Sequence, residues 1–137
     1  MSLTVKHVKG RRFEAICRGH TVVSDQPIQE GGSDEGMTPV ELFNASLACC
    51  VADSAATFLH RRIPDLQSLV VQSDWQYADN PHRVVAMHIH LMIPRELTDP
   101  ETKALQRVLE QCTMSNSLKG APKIDIRIVV LKCVKLS

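Results

Sequence analysis

Residues 38–64 read TPVELFNASLACCVADSAATFLHRRIP and predict one long helix. Thr38 can cap the first turn, a proline follows at the first helical position, and Glu41 at the third completes a capping box. Apolar and small side chains then fall on nearly every face, so we expect a helix of about 24 residues that is buried on most sides. The helix should end before Pro64. This segment is predicted to be the central helix of the fold.

The segment before this helix predicts a strand meander followed by a long loop. Three β-rich stretches are separated by glycine turns, at residues 3–8, 13–18 and 21–24. Residues 26–39, QPIQEGGSDEGMTP, lack periodicity and contain three glycines. Since loops of this length are uncommon without a role, we expect an ordered loop over a functional face.

The segment after the helix predicts a hairpin, a second helix and a last strand. The elements expected there are strands at 68–77 and 83–93, a helix from Thr98 or Asp99 to Cys112, and a strand at 123–134. The turn between the first two strands is too short for a parallel crossover, so they should pair as an antiparallel hairpin. The order βββ-α-ββ-α-β indicates an α+β fold. At 137 residues the chain is the size of one domain, spanning 1–137.

The composition excludes several classes of partner. The formal net charge is +1 and the basic residues are scattered along the sequence. We therefore expect no basic patch that would bind nucleic acid or an anionic membrane. We find neither a secretory leader nor an apolar run near the ~20 residues that span a bilayer, so a cytoplasmic protein without a membrane partner is expected. The five cysteines, an odd number, should then be mostly reduced thiols.

Two cysteines on different helices, Cys50 and Cys112, are the candidates for reactivity. A cysteine in a core helix is more often a small buried hydrophobe than a nucleophile. Cys49 and Cys50 point about 100° apart, so at most one faces a given cleft, and Cys49 is either a spare thiol or packing. Cys112 precedes the polar stretch 113–116, where an accessible thiol is expected. The two thiols can meet only if their helices pack with Cα atoms within about 7 Å.

The remaining conspicuous residues have simpler interpretations. His88 and His90 alternate on one strand face and could ligate a metal if a third ligand approached. Such a pair of histidines more often lies on the solvent-exposed face of an antiparallel sheet than in a metal site. Trp75, the sole tryptophan, is expected in the core or a subunit interface. Cys17 and Cys133 fall on predicted strands and are interpreted as packing.

Three motifs together resemble the OsmC/Ohr family of osmotically inducible protein C and organic hydroperoxide resistance protein. In GMTPVELFNASLACCVADSA a cysteine lies eleven residues after the proline, as in the central-helix signature of that family, and this cysteine is Cys50. CTMSNSLKG resembles the stretch around the family's second cysteine and matches it to Cys112. The stretch Asp25-Gln26-Pro27, with glycines at 31, 32 and 36, looks like the family's loop before the helix. The resemblance spans about residues 13–134.

The resemblance implies an intertwined homodimer of α+β subunits, and the placement of Glu41 and Cys50 on opposite faces of one helix favours an active site at the subunit interface. It also implies a peroxidase that uses no metal, haem or other bound cofactor. In such enzymes the first thiolate attacks a peroxide oxygen and becomes a sulfenic acid, with which the second thiol condenses to a disulfide. A small dithiol reductant, of the dihydrolipoyl type, then restores both thiols. On this basis Cys50 is the attacking thiol and Cys112 the resolving thiol.

The resemblance further implies an arginine that activates the attacking thiol. A cysteine in the middle of a helix gains nothing from a helix N-terminus, so formation of its thiolate needs a nearby cation. The family supplies an arginine from the N-terminal strands. Arg18 is the best match for it, and Arg11 and Arg12 compete.

The same family pattern assigns an orienting carboxylate to Glu41. In the hydroperoxide resistance branch the acid directly follows the proline, where this chain has Val40. Nine residues of straight helix correspond to about 13.5 Å and two and a half turns, so Glu41 and Cys50 of one chain should lie on opposite faces. Glu41 can then serve the site only through a dimer partner, a long arginine side chain or a helix irregularity. Alternatively, it only completes the capping box.

These residues lead to one main function hypothesis and two alternatives. We expect a thiol-dependent peroxidase that reduces organic hydroperoxides or hydrogen peroxide. The first alternative is a non-catalytic binder of small molecules or lipids, in which the thiols are residual. The second is a thiol-based redox sensor or metal chaperone that uses Cys49 and Cys50 with His88 and His90.

Overall fold

The structure is a computed structural model and describes residues 1–131. Its elements are, in chain order, β1 (Thr4–Lys9), β2 (Arg12–Cys17), β3 (His20–Ser24), a single 3₁₀ turn (Ile28–Glu30), α1 (Pro39–His60), β4 (Val70–Ala78), β5 (Arg83–Met92), α2 (Asp99–Glu110) and α3 (Thr113–Lys119). In this part of the chain the strands form two antiparallel sheets, β1-β2-β3 and β4-β5. The predicted α+β fold is confirmed.

The N-terminus of α1 has the capping geometry that the sequence predicts. Thr38 Oγ1 accepts a hydrogen bond from the Glu41 backbone N–H at 3.2 Å, and Glu41 Oε2 accepts one from the Thr38 backbone N–H at 2.7 Å. A cap of this kind stabilises a helix by about 1 kcal/mol. The helix then runs 22 residues, close to its expected length.

Within one chain, α1 buries a single stripe of side chains. The buried residues recur at helical spacing and are Asn44, Leu47, Val51, Ala55 and Leu59. They pack against β4, β5, α2 and α3, whereas Cys49 and Ala56 on the other side remain exposed. The expectation of burial on most sides is therefore wrong for the single chain. By length and composition α1 also meets the criterion for a membrane-spanning helix, a criterion that core helices of soluble proteins meet as well.

The segment after α2 departs from the sequence prediction in two ways. Residues 113–119, expected as a polar stretch, form the short helix α3. Residues 121–131 form no strand, although a strand was predicted at 123–134; residues 132–134 lie outside the described part of the chain. The alternation of isoleucines does favour a strand, but a strand forms only where a sheet edge accepts its backbone hydrogen bonds. Among the described residues no such edge pairs with it.

The sheet β1-β2-β3 is linked to the remaining elements mainly through the loop that follows β3. Within residues 1–131 this sheet makes no extended contact with α1, α2 or the β4-β5 hairpin. Several of its apolar side chains are exposed, namely Leu3, Val5, Val8, Phe13 and Val22. The placement of this sheet therefore depends on the loop.

Candidate active site

The structure brings Cys50 and Cys112 into contact. Cys112 belongs to a buried cluster with Leu47 and Val51, and the half-buried Cys50 packs against that cluster. Cys50 is also one of the neighbours that raise the pKa of the Cys112 thiol. Both are free thiols. Cys112 lies between α2, which ends at Glu110, and α3, and both of these helices pack against α1.

The turn between α2 and α3 explains why Cys112 points inward. Cys112 is the N-cap of α3, and its Sγ accepts a hydrogen bond from the Ser115 backbone N–H at 3.4 Å. Its own N–H donates to the Leu109 carbonyl at 3.3 Å. Only 4% of the residue is exposed, so the expectation of an accessible thiol is wrong. The polar stretch after it coils into α3, and the sulfur that caps this helix lies against the core.

The surroundings of Cys112 favour its neutral form. Burial raises the pKa of the Cys112 thiol, the Ser115 N–H opposes this, and the neighbouring Cys50 adds to the rise. A thiol with a raised pKa carries its proton at neutral pH. Of the two sulfurs, the half-exposed Cys50 is thus the one that a dissolved reagent meets first.

Cys17 and Cys49 are not part of this pair. Cys49 is exposed, on a different side of α1 from Cys50. Cys17 is half-buried, and its Sγ lies 3.6 Å from the Ser2 carbonyl oxygen, to which it donates. Cys133 lies outside the described residues.

The three candidate arginines are in different surroundings. Arg11 Nη1 donates to the Glu30 carbonyl at 3.0 Å, and Arg12 Nε lies 3.4 Å from a carboxylate oxygen of Glu35. Both are therefore engaged with the loop that follows β3. Arg18 lies exposed in the turn between β2 and β3 with φ of 51°, and in the described part of the chain it has no ion pair. Among residues 1–131, the sheet that carries it makes no extended contact with α1 of the same chain.

Glu41 lies on the other side of α1 from Cys50, as the helix geometry predicts. Its carboxylate caps the helix, and with Asn44, Ser73 and Trp75 it lines a separate open cleft of about 350 Å³. The half-buried Trp75 faces inward from β4. Among residues 1–131, the contacts of the Glu41 carboxylate are those of a helix cap.

Asp25 is a structural residue that the sequence reasoning missed. Only 1% of it is exposed, and its carboxylate accepts backbone N–H hydrogen bonds from Gln26 at 2.8 Å, Ser33 at 3.3 Å and Glu35 at 3.2 Å. Burial would raise the pKa of Asp25, but these three donors and the nearby Arg12 outweigh it, and the pKa is held below its usual value. An aspartate directly before a glycine-rich loop is the signal that could have revealed it, since Asp side chains often bond the backbone of turns.

The histidine pair lies on the outer surface. His88 and His90 are exposed on β5, and His90 Nε2 lies 3.9 Å from Asp74 Oδ2. Within residues 1–131 there is no group of three or more side chains that could hold a metal ion.

An apolar cleft of about 420 Å³ lies beside the thiol pair, between α1, β5 and α2. Leu47 and Val51 line both the cleft and the thiol cluster. The other apolar lining includes Met87, Ile89, Leu105 and Leu109. An apolar group bound there would lie near the two sulfurs.

The family model for OsmC-like protein matches residues 32–127, more than half of the chain. The chain belongs to the OsmC-like family. The matched part of this OsmC-like chain contains both thiols of the pair, α1 and the β4-β5 hairpin. No curated protein matches the chain.

Solved structures share this OsmC-like fold. A protein of Psychrobacter arcticus 273-4, described by osmotic stress induction and a detoxification response, is 23% identical, with a TM-score of 0.78 over 85% of this chain and 87% of the other. An OsmC-like protein of Mycoplasma pneumoniae is 19% identical, with a TM-score of 0.72 over 88% and 87%. An organic hydroperoxide resistance protein OsmC of Legionella pneumophila is 22% identical, with a TM-score of 0.61 over 88% and 90%. At these identities the likeness concerns the fold.

Proposed function

We propose that this OsmC-like protein is a thiol-dependent peroxidase that reduces organic hydroperoxides or hydrogen peroxide. The contact between a half-exposed Cys50 and a buried Cys112 is the observation that carries the proposal. A redox or peroxide-related role is supported by the family and by the Legionella pneumophila neighbour, which is named for organic hydroperoxide resistance.

The reaction is a two-electron reduction of the peroxide. The Cys50 thiolate attacks one peroxide oxygen, an S–O bond forms, the O–O bond breaks, and the leaving oxygen takes a proton to depart as an alcohol or water. The Cys112 thiol then attacks the sulfur of the Cys50 sulfenic acid, and water departs as the disulfide forms. A dihydrolipoyl-type dithiol reduces this disulfide by exchange, becoming a cyclic disulfide while both cysteines return to thiols.

The different surroundings of the two sulfurs suit these different roles. A resolving thiol that stays protonated does not compete for peroxide, because the thiolate is the nucleophile. Cys112 has a raised pKa and little exposure, whereas Cys50 can be reached from outside. Since the two side chains pack in one cluster, a disulfide between them joins residues that the fold already brings together.

In this proposal the active protein is a homodimer, and the site is completed by the partner's Arg18. Arg11 and Arg12 are engaged with the loop, which leaves Arg18 as the candidate to stabilise the Cys50 thiolate of another copy. Exposed apolar side chains of β1-β2-β3 and of residues 121–131 supply surface that a second copy would cover. Glu41 would orient the arginine across the interface. The proposed location is the cytoplasm, where small dithiols are kept reduced.

The test is peroxide consumption with dihydrolipoamide, comparing tert-butyl hydroperoxide and hydrogen peroxide. Cys50→Ser should abolish turnover. Without dithiol, Cys112→Ser should consume one equivalent of peroxide and stop with a sulfenic acid at Cys50, where the wild type forms a disulfide. Cys49→Ser is the matched control, one residue away on α1, and should retain full activity. Normal peroxide consumption by the Cys50→Ser protein would refute the proposal.

The apolar cleft beside the thiols favours one further candidate, a non-catalytic binder of apolar small molecules. Under that function the same assay gives no turnover with any dithiol. Mass spectrometry of the intact protein under native conditions would then reveal a retained apolar ligand.

A further inference from the structure

The loop of residues 25–38 is a compact body built around the buried Asp25 carboxylate. Three backbone N–H groups of the loop donate to its two oxygens. The main chain is packed so closely that two positions admit only glycine. A Cβ on Gly36 would lie 2.5 Å from the Val23 carbonyl oxygen, and one on Gly32 would clash with the carbonyl of the residue after Asp25. Little freedom remains for the loop to bend.

Both ends of this loop are tied to regular elements. The Asp25 N–H donates to the Met37 carbonyl at 3.2 Å, and Ser24 at the end of β3 forms a bridge with Met37. The next residue is the cap of α1. On the outer side of the loop, the Arg11 side chain donates a hydrogen bond to the Glu30 carbonyl oxygen. The loop therefore fixes the end of β3 against the beginning of α1.

The β2-β3 turn lies at the end of β3 that is distant from the loop. A small rotation of the sheet about the loop therefore produces a large displacement of this turn. Arg18 is about 20 Å from Asp25 at the usual rise of a strand, and a rotation of about 10° at the loop moves it by about 3 Å. Opposite charges perturb a titrating group strongly only within about 4–6 Å. Since the sheet has no extended packing on α1 among the described residues, the loop is the main constraint on this angle within one chain.

We propose that Asp25 is a positioning residue for the active site. Its carboxylate stabilises one conformation of the loop, and the loop determines the angle between the sheet β1-β2-β3 and α1. This angle places Arg18 of one copy beside Cys50 of another. The inference rests on the proposed function, because it takes Arg18 as the cation of the thiol site.

The test compares Asp25→Asn with Asp34→Asn in the whole 137-residue chain. Asp25→Asn replaces one accepting oxygen by an NH₂ group that faces backbone N–H donors. Asp34 is an exposed acid of the same loop, at φ of 56° where asparagine is tolerated, so its variant removes the same charge without touching the buried bonds. The measurements are the pH midpoint of iodoacetamide alkylation at Cys50, followed by peptide mass spectrometry, and kcat/KM for peroxide.

Asp25→Asn should raise the alkylation midpoint by about one pH unit and lower kcat/KM about tenfold, as loss of a nearby cation does. Asp34→Asn should change neither. Arg18→Gln should raise the midpoint in the wild-type chain but add little in the Asp25→Asn chain, because the arginine is already displaced. If Asp25→Asn does not fold, Glu35→Gln is the substitute variant, because it weakens the ion pair between Glu35 and Arg12. It should raise the alkylation midpoint by a smaller amount.

Two other outcomes have separate meanings. In the first outcome, Arg18→Gln raises the pH midpoint of Cys50 alkylation, whereas Asp25→Asn lowers the melting temperature but leaves that midpoint unchanged. This result overturns the positioning role of Asp25 and leaves the peroxidase proposal intact. No effect of Arg18→Gln on the midpoint in the wild-type chain removes Arg18 from the site, and the positioning role fails with it. Loss of the function itself would be recognised independently, by normal peroxide consumption in Cys50→Ser.

Discussion

At the scale of single residues, Cys112 has two separable tasks. Its sulfur accepts a hydrogen bond from the Ser115 N–H as the cap of α3, and it contacts Cys50 inside an apolar cluster. Serine can perform the first task and not the second, since a hydroxyl is a preferred helix cap but forms no disulfide. Valine fills apolar space but can do neither.

Substitution at position 112 should therefore separate capping from redox chemistry. Cys112→Ser should fold with a melting temperature near that of the wild type, while Cys112→Val should lose about 1 kcal/mol of unfolding free energy through the missing cap. Both should form no disulfide with peroxide, and dimedone should trap the sulfenic acid at Cys50. Urea titration and mass spectrometry are the measurements. Equal stability of the two variants would mean that the sulfur cap contributes nothing.

Asp25 should make the stability of the protein depend on pH in the acid range. Its pKa is lowered in the folded chain from the ordinary value of 3.8, so the ionised carboxylate stabilises the fold. This contribution is fully present above 3.8, and it is lost as the pH falls through the lower folded-state pKa. In urea titrations at successive pH values, the stability difference between wild type and Asp25→Asn should be constant near neutrality and shrink on acidification. A difference that persists unchanged into strong acid would contradict this assignment.

At the scale of elements, α1 combines a strong local start signal with a partly covered surface. Its capping box forms as the sequence predicts, while its side opposite the buried stripe remains open in the single chain. Glu41 belongs to the cap and is also the proposed orienting carboxylate. The two roles need different properties of the side chain, because a cap requires an acceptor and orientation of an arginine benefits from a charge.

Glu41→Gln should therefore distinguish the two roles. Glutamine can occupy the third position of a capping box, so the unfolding free energy should change by less than about 0.5 kcal/mol. If Glu41 orients the activating arginine, kcat/KM for peroxide should fall about tenfold because a charged hydrogen bond is lost. The control is Thr38→Ala, which should cost about 1 kcal/mol of stability with a smaller effect on kcat/KM. Unchanged activity in Glu41→Gln would leave this residue as a cap only.

At the scale of the whole molecule, residues 121–131 and the N-terminal sheet present uncovered apolar side chains. Ile124, Ile126 and Ile128 are 78–89% exposed and alternate with polar residues, the pattern of a strand that has no neighbour. A free sheet edge of a second copy would pair with the backbone N–H and C=O groups of residues 121–131, and the second copy would cover their apolar side chains. This is the physical basis of the proposed homodimer.

A substitution in this segment should weaken the proposed dimer, and the effect should depend on which face of the strand is changed. Ile126→Ser removes an apolar contact worth about 2 kcal/mol from each copy, so the dimer dissociation constant should rise at least about tenfold. Arg127→Ser, one residue away on the opposite face, is the matched control and should change it little. Sedimentation velocity over a concentration series measures both. Equal behaviour of the two variants would mean that this segment is not a strand at the interface.

The sequence alone sufficed for features whose signals are local. The Thr38–Glu41 capping box, the antiparallel hairpin and the element order as far as α2 each depend on residues within a few positions, so their patterns are sufficient. The choice of Cys50 and Cys112 came from family resemblance. The opposite placement of Glu41 and Cys50 followed from helix geometry and is observed.

Tertiary structure decided the features that depend on distant neighbours. The contact of the two thiols, the burial of Cys112 and the central place of Asp25 in its loop arise from groups that only folding brings together. Residues 121–131 have the pattern of a strand and yet form none, because a strand is stabilised by hydrogen bonds to an edge that the same chain does not offer it among the described residues. Local propensity determines what a segment can become, and the partners available in space determine whether it does.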